Sequence, residues 1–251
     1  MRRLLTFGIG LVYLSLCAAQ VFLARDIHEQ GRIMRRWAAR ILKAAGIPWT
    51  ARGLEHLEGL PPCIIVSNHL SSVDIPFLFA VLPRTFRMVA KAELKRVPLI
   101  GWVLRWGRFV TVHRHEHHKA MREMEGVEWL FSHGADLYMA AEGTRSRDGR
   151  MLPFKKGPFV LSIQHGVPIL PVTLAGTDRV MPRKTLSPRA GVPMACVIHP
   201  PVRPDGYAYA DRDAYRDRVR AIVASGLEAP LNPMAEGAED AGAASGPATT
   251  G

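Results

Sequence analysis

Short apolar runs alternate with segments of helical periodicity from Ile47 onward, and no other feature of the sequence restricts the fold as strongly. Apolar runs that predict buried strands lie at Cys63–Val66, Phe86–Ala90, Arg108–Val112, Asp136–Ala140, Ile169–Leu174 and Met194–Ile198. Helical patterns lie between or after them, at Asp74–Leu82, Leu99–Trp106, His118–Ser132, Gly157–His165 and Ala210–Leu227. Alternation of this kind predicts an α/β fold with a mostly parallel sheet flanked by helices.

The composition is that of a folded protein from a reducing compartment. The chain has 251 residues, of which 48% are hydrophobic and 22% charged, enough to bury a sizeable core. The three cysteines, Cys17, Cys63 and Cys196, are scattered without paired or metal-like spacing. They therefore predict neither a disulfide framework nor a structural zinc site.

The N-terminal region contains a long stretch without charge. Leu4–Ala24 spans 21 residues that include no charged side chain. As a helix it would match the ~30 Å hydrocarbon core of a bilayer, and it predicts a membrane segment. A cleaved secretory signal is the competing interpretation, because Arg2 and Arg3 precede the run and Cys17-Ala18-Ala19 offers small residues. The apolar run continues through Val21–Leu23, past such a cleavage point, which favours the membrane segment.

A second, basic helix is predicted over Arg32–Ala45, after a break at Asp26–Gly31. Ile33, Trp37 and Ile41 recur at helical spacing among arginines and lysines, a pattern typical of a helix at a membrane surface. Packing of the same apolar face on the domain core is the alternative interpretation.

The charge distribution predicts both the partner and the orientation. Residues 1–46 hold eight basic and two acidic side chains, so +6 of the net charge of +11 lies there. A basic excess beside an apolar segment favours a phospholipid bilayer as partner, and nucleic acid is disfavoured because no reader motif is present. By the positive-inside rule the bulk of the protein is predicted on the cytoplasmic side of the cell inner membrane.

We accordingly divide the chain into three parts. Residues 1–46 are predicted to be membrane-anchoring helices, and residues 47–228 form the α/β domain. Residues 229–251 contain no lysine or arginine and are rich in alanine, glycine and proline, which predicts a disordered tail.

The first candidate for chemistry lies in the loop after the Cys63–Val66 strand, where the sequence reads Asn68-His69-Leu70-Ser71-Ser72-Val73-Asp74. On one helix His69 and Asp74 would point apart, so they meet only if the loop turns between them. Asp74 would then hold the Nδ1–H group of His69 and leave Nε2 as a general base. Ser71 or Ser72 as nucleophile is less favoured, because no G-x-S-x-G turn is present. A purely structural pair, with Asp74 capping a helix, is the other alternative.

Charged side chains also follow several later strands. Arg114 follows the Arg108–Val112 strand, Glu142-Gly143-Thr144-Arg145 follows Asp136–Ala140, and Lys155-Lys156 precedes the helix that opens at Gly157. Ligands of an open α/β sheet bind at the carboxyl ends of its strands, so these groups are expected to converge. Arginines and a helix N-terminus suit a phosphate group, and Glu142 suits sugar or glycerol hydroxyls.

With these motifs together, the sequence resembles the membrane-bound 1-acylglycerol-3-phosphate acyltransferases, a family of glycerolipid acyltransferases. NHLSSVD is similar to the N-H-x-x-x-x-D block of that family, and Lys91-Ala92-Glu93-Leu94 with Pro98, Gly101, Gly107 and Arg114 is similar to its second block. EGTRS resembles the third block and VPILPV the fourth, in the same order and spacing over residues 30–200.

The resemblance implies a reaction, its substrates and its site. An acyl chain would pass from an acyl carrier protein or coenzyme A thioester to the free hydroxyl of 1-acylglycerol-3-phosphate, giving phosphatidic acid, with no cofactor or metal beyond these co-substrates. It implies His69 as base, Asp74 as its partner and an N-terminal helix pair seated in one leaflet. The acceptor site predicted from it and from the neighbouring basic residues comprises Arg114, Glu142, Gly143, Thr144, Arg145 and Lys155.

Two further features have structural interpretations. The run HRHEHH contains His113, His115, His117 and His118, and it predicts an exposed cationic surface rather than a metal site. Trp102 and Trp106 lie four residues apart in a predicted helix, which favours core packing over a role in an acyl groove.

Other functions remain open from the sequence. The acceptor could be a lysolipid without phosphate, such as a lyso-ornithine lipid. The same base could activate water in a lipid or thioester hydrolase, and a membrane tether could retain the fold without activity.

Overall fold

A computed structural model describes residues 15–97, 100–112, 120–146, 149–183, 185 and 187–228. Seven strands form one sheet in the order β1-β7-β6-β2-β5-β3-β4. All neighbouring strands are parallel except β6 and β7, which are antiparallel. Their bounds are β1 Trp49–Arg52, β2 Ile64–Ser67, β3 Phe86–Lys91, β4 Val110–Val112, β5 Asp136–Ala140, β6 Ile169–Ala175 and β7 Met194–Ile198.

Helices cover both faces of this sheet. The described part of the first helix, α1, covers 15–23. The others are α2 Ile27–Ala44, α3 Asp74–Val81, α4 Ile100–Trp106, α5 Ala120–Ser132, α6 Gly157–His165, α7 Thr177–Val180 and α8 Arg212–Glu228. Short 3-10 turns at Leu54–Leu57, Ala92–Arg96 and Tyr209–Asp211 connect them. The predicted α/β fold with a mostly parallel sheet is confirmed.

The core lies in two layers because successive strand residues face opposite sides of the sheet. In β2, Ile65 packs in the layer that holds α2 and α3, whereas Ile64 and Val66 pack in the layer that holds α5, α6 and α8. All four residues of β2 are buried, which explains why its sequence is a continuous apolar run rather than an alternating one.

Two elements were absent from the sequence prediction. The edge strand β1 is four residues long, pairs with β7 through Trp49–Met194 to Arg52–Val197, and alternates between exposed and half-buried positions. The short helix α7 follows β6 directly. Neither carries a long apolar pattern, so their local sequences give little signal.

Helix α2 differs from its prediction at the start and in its packing. It begins at Ile27 rather than Arg32, because the Asp26 carboxylate accepts hydrogen bonds from the backbone N–H groups of His28 and Glu29, each at 2.7 Å, and caps it. Its apolar face lies in the core against α3, with Met34, Trp37 and Leu42 buried. The interpretation of this apolar face as free to enter a membrane is therefore wrong, whereas the arginines of α2 are exposed.

Within the part of the chain that the structure describes, we find no helix with the length and apolarity that crossing a membrane requires. Residues 4–14 of the predicted membrane segment lie outside the described residues, as do the predicted tail at 229–251 and the histidine run at 113–118.

The prediction that Trp102 and Trp106 pack in the core is wrong. Both side chains of α4 are exposed, while Leu104 between them is buried. The helix has only seven residues and buries the side that carries Leu104. Trp102 and Trp106, which lie four residues apart, share its exposed side.

Candidate active site

A tight turn after β2 brings His69 and Asp74 together at the carboxyl end of the sheet. The Nδ1 atom of His69 lies 2.8 Å from Oδ2 of Asp74, which is the first residue of α3. The same oxygen accepts hydrogen bonds from the backbone N–H groups of Leu70 at 2.8 Å and Ser71 at 2.9 Å. The carboxylate thus organises the turn and the imidazole at once.

This pairing determines which ring nitrogen of His69 is free to accept a proton. Asp74 is buried and acts as acceptor, so it favours the tautomer with hydrogen on Nδ1 and the lone pair on Nε2. The His69 side chain keeps 18% of its surface exposed, so a substrate hydroxyl can approach it. A buried acceptor behind an accessible imidazole is the arrangement of a general base with its orienting partner.

Asn68 fixes the position from which His69 projects. Its side-chain Nδ2 donates to the Leu174 carbonyl, and its Oδ1 accepts from the Leu174 N–H, both at 2.8 Å. The buried amide thereby continues the pairing of β2 with β6 beyond the last strand residue, as a backbone group would. Sequence reasoning assigned Asn68 no role, although its place directly before His69 was the available signal.

Glu142, in the loop that follows β5, contacts the same turn. Its carboxylate is 1% exposed, and its two oxygens accept from the backbone N–H groups of His69 at 2.9 Å and Leu152 at 3.0 Å. Burial raises the pKa of Glu142, and these two hydrogen bonds oppose that shift. The geometry gives Glu142 a part in positioning the His69 turn, and its contact with an acceptor hydroxyl stays a prediction.

The loop that follows Glu142 carries the predicted cation of the acceptor site. Gly143 has φ 69°, a left-handed conformation that suits glycine and turns the chain back toward the first loop. Nη1 of Arg145 donates to Oγ of Ser72 at 2.6 Å, and the Ser146 N–H donates to the His69 carbonyl at 3.0 Å. Arg145 therefore lies on the same edge of the site as His69. Thr144 is exposed.

Lys155 reaches this edge through its backbone. Its N–H donates to the Ala141 carbonyl at 2.7 Å, and its exposed side chain lies beside Gly143, where an added Cβ would be 3.5 Å from the Lys155 Cγ atom. The structure thus brings His69, Asp74, Glu142, Gly143, Thr144, Arg145 and Lys155 to one edge of the sheet. Arg114 lies outside the described residues.

The segment after β6 also borders the site, which sequence reasoning missed. The Ser71 Oγ donates to the Met181 carbonyl at 2.7 Å, and Nη1 of Arg183 donates to the Arg145 carbonyl at 3.3 Å. Because the buried Ser71 hydroxyl is committed to that carbonyl, the geometry disfavours Ser71 as a nucleophile. Arg183 adds an exposed guanidinium beside the half-buried Arg145, and no motif in the sequence marks it.

These groups support one kind of chemistry. His69 can take a proton from a hydroxyl, and the cations of Arg145, Lys155 and Arg183 can hold an anionic group close to it. The base and its orienting carboxylate need no covalent intermediate on the protein for this step.

Comparison with known proteins gives the site its context. The family model described as Acyltransferase matches residues 49–175, a segment that includes His69, Asp74 and the Glu142–Arg145 loop. The chain is 33% identical over 159 residues to 1-acyl-sn-glycerol-3-phosphate acyltransferase BAT2 of Brassica napus, covering 62% of this chain and 46% of that protein. It therefore spans less than half the length of this relative.

Two other proteins are matched over more of their length. The human 1-acyl-sn-glycerol-3-phosphate acyltransferase alpha is 31% identical over 212 residues, covering 84% of this chain and 75% of that protein. The crystal structure of the 1-acyl-sn-glycerophosphate acyltransferase PlsC from Thermotoga maritima superposes with a TM-score of 0.75 at 29% identity, covering 90% of this chain and 92% of that one. Because the family match and the structural likeness both include the strands and loops that carry the site, the chain belongs to the Acyltransferase family.

Proposed function

We propose that the protein is a 1-acylglycerol-3-phosphate O-acyltransferase, which converts lysophosphatidic acid to phosphatidic acid in phospholipid synthesis. The observation that carries this proposal is the 2.8 Å contact between His69 and Asp74 beside the cations of the Arg145 loop. The names of the relatives from Brassica napus, human and Thermotoga maritima support the same acceptor.

The reaction proceeds by proton transfer from the acceptor. Nε2 of His69 takes the proton from the free glycerol hydroxyl as its oxygen attacks the thioester carbonyl. The tetrahedral intermediate collapses to the new ester with loss of the thiolate, and the imidazolium returns its proton to that thiolate. Asp74 keeps the imidazole in the required tautomer and stabilises its charged form.

Binding of the acceptor rests on its phosphate. Arg145 and Lys155 supply cations at the edge where His69 lies, and Arg114 is proposed to add another. Charge-assisted hydrogen bonds from guanidinium groups to phosphate are strong and directional, so they position the hydroxyl as well as bind the lipid. Glu142 contributes through the His69 turn that it holds.

The acyl donor is proposed to be an acyl carrier protein or coenzyme A thioester, used as a co-substrate without a further cofactor. The acceptor lysophospholipid resides in membranes, and the exposed arginines of α2 would meet anionic headgroups. We place the enzyme at the cell inner membrane, with residues 1–46 as its anchor and the catalytic domain on the cytoplasmic side.

A direct assay tests the reaction and the acceptor together. Purified full-length protein in detergent is incubated with a labelled acyl thioester and a panel of lysolipids, including lysophosphatidic acid and lyso-ornithine lipid, and products are identified by mass. We expect phosphatidic acid to form fastest. Faster acylation of lyso-ornithine lipid would reject the phosphate acceptor, release of free fatty acid alone would indicate a hydrolase, and no turnover would indicate a tether.

The role of Arg145 is tested in the same assay. Replacing Arg145 with Gln should raise KM for lysophosphatidic acid and lower kcat/KM about tenfold to hundredfold, because one charge-assisted contact is lost. The same variant should change the rate with a phosphate-free acceptor much less. Equal losses with both acceptors would argue against a phosphate contact at Arg145.

A further inference from the structure

The most exposed apolar side chains of the described residues concentrate in two segments, α1 and the region 92–106. Leu23 is 77% exposed, Trp102 59% and Trp106 54%. Phe22, Leu94, Val97 and Ile100 add to the exposed apolar surface of the same two segments. Apolar exposure on this scale marks a surface that contacts a partner or a membrane.

The two segments touch and are held in place by buried contacts. The Phe22 and Trp106 rings meet edge to face with centroids 4.9 Å apart. The buried side chain of Gln30 donates from Nε2 to the carbonyls of Val21 and Trp106, each at 3.3 Å. The end of α1 is thereby tied to the end of α4. We call the surface formed by Phe22, Leu23, Trp102 and Trp106 the aromatic surface.

Helix α4 is anchored through its other side. A side chain at Gly101 would collide with the Lys95 carbonyl, so the 3-10 turn Ala92–Arg96 packs closely on the helix there. Leu104 is buried in the core. Trp102 and Trp106 lie four residues apart and share the opposite, exposed face. Their outward orientation is thus fixed by packing.

Exposed basic residues border the aromatic surface. Arg25 follows α1, Arg96 precedes α4 and Arg105 lies between the two tryptophans, whereas Glu93 is the exposed acid of the 92–106 region. Tryptophan is enriched at the boundary of bilayers, where its ring meets apolar chains and its N–H meets headgroups. Arginines beside it complement the negative surface potential of anionic lipid.

We propose that the aromatic surface enters the headgroup region of an anionic bilayer, so that α4 of the catalytic domain is a second membrane contact besides the N-terminal anchor. This proposal rests on the membrane location given under Proposed function. It adds that membrane binding is shared with residues of the second sequence block, far from the N-terminal segment in the chain. An acidic carrier protein on this surface is the alternative occupant that the experiments must distinguish.

Vesicle binding of the full chain tests the proposal. The variant Trp102→Ala/Trp106→Ala is tested on mildly anionic vesicles of phosphatidylcholine with about 30 mol% phosphatidylglycerol. It should bind them at least about tenfold more weakly than the wild type, because two interfacial aromatic side chains are lost. The matched control is Tyr209→Ala, which removes an aromatic side chain of 58% exposure from the 3-10 turn before α8. The control should bind like the wild type, and equal binding by all three proteins would overturn the proposal.

A second measurement uses a conservative variant that keeps an aromatic side chain at both positions. Lipids brominated near the headgroup should quench part of the tryptophan fluorescence of the wild type, and Trp102→Phe/Trp106→Phe should remove that quenched part. Absence of quenching while the protein is vesicle-bound would overturn the proposal. If quenching is absent and acyl carrier protein shields both tryptophans from solvent, the surface is assigned to that carrier.

Failure of this proposal is distinguishable from failure of the proposed function. In detergent with monodisperse lysolipid, the double alanine variant should transfer acyl groups at the wild-type rate, because neither tryptophan belongs to the site at His69. Loss of vesicle binding by that variant supports the aromatic surface even if the wild type transfers no acyl group. Normal vesicle binding together with normal transfer rejects the surface and leaves the enzyme assignment intact.

Discussion

At the scale of single residues, His69 is the group on which the proposed chemistry depends. Its Nδ1 is bonded to a buried carboxylate, so the imidazole is oriented before a substrate arrives. We expect His69→Ala to lower kcat by about 10²–10⁴-fold or more, the usual contribution of a general base, with lysolipid binding nearly unchanged.

The assay is acyl transfer at saturating thioester, with lysolipid binding measured separately. Asp74→Asn serves as the companion variant and should lower kcat equally or less, since Asp74 acts by orienting the imidazole. A His69→Ala protein that keeps more than a few per cent of the wild-type rate would contradict the assignment of the base.

Glu142 provides a test between the expectation from the sequence and the role that the structure assigns. Its two oxygens accept from the His69 and Leu152 backbone N–H groups. In Glu142→Gln an amide NH₂ must face one of these donors, which displaces the His69 turn. We expect kcat to fall by up to about 10²-fold with little change in KM for the lysolipid, as is typical when a catalytic group is misplaced.

The kinetic split between kcat and KM is the decisive readout, with the melting temperature as a measure of general damage. Glu142→Asp keeps the charge but is shorter, so it should recover only part of the rate. A raised KM with an unchanged kcat would instead mean that Glu142 touches the acceptor hydroxyl.

At the scale of secondary-structure elements, α2 has two distinct roles on its two faces. Met34, Trp37 and Leu42 pack in the core against α3, whereas Arg32, Arg35, Arg36 and Arg40 are exposed. The apolar face therefore stabilises the domain and leaves the basic face exposed, where the proposed contact with anionic lipid would form. One helix can carry both sets of residues because its arginines and its core residues lie on different faces around the helix axis.

We expect Gln at all four of these arginine positions to weaken binding to anionic vesicles by at least about tenfold at low salt. Flotation with vesicles at increasing salt measures this effect, and the difference from wild type should shrink as screening increases. The control is the wild type and the variant on neutral vesicles, where no headgroup charge attracts the arginines. A loss that is equal on neutral and anionic vesicles would argue against an electrostatic contact.

At the scale of the whole molecule, a buried arginine joins α2 to the sheet. Arg87 of β3 donates to the carbonyls of Phe86, Ile27 and Gly107 and, at 2.7 Å, to Oε1 of Gln30. Its guanidinium also lies over the Phe109 ring at 5.5 Å. Burial lowers the pKa of Arg87 to about 10, so the group remains charged at neutral pH while bound mainly to neutral acceptors.

We expect Arg87→Met to destabilise the whole domain by about 3 kcal/mol or more, because several buried acceptors lose their donor at once. Chemical denaturation followed by circular dichroism measures the loss. Arg84→Met is the informative comparison, since Arg84 is partly exposed and pairs with the buried Asp136 at the start of β5. Unchanged stability of Arg87→Met would show that water replaces the guanidinium without cost.

Much of the fold could be predicted from the sequence because its strands and helices carry strong local patterns. The bounds of β5, α6 and β7 agree with their predicted ranges, and the other predicted strands and helices shift by one or a few residues. Elements with weak patterns, β1 and α7, were missed, since β1 becomes a strand only when β7 lies beside it.

The composition of the site was also determined by the sequence. His69, Asp74, Glu142 and Arg145 follow strands whose parallel order brings them to one edge, and their residue types already indicate a base, its partner and an anion site. Arg114 and the histidine run lie outside the described residues, so the place of Arg114 in the site and the exposure of the histidines stay predictions.

The contacts that each group makes were decided by tertiary structure. Whether Glu142 meets a substrate or the His69 backbone, whether Trp102 faces the core or solvent, and whether α2 turns its apolar face inward depend on neighbours distant in the chain. Local sequence sets the periodicity and chemistry of a segment. Only the packed fold determines which face is covered and which hydrogen-bond acceptor is already occupied, because burial and pairing are properties of residues brought together from different elements.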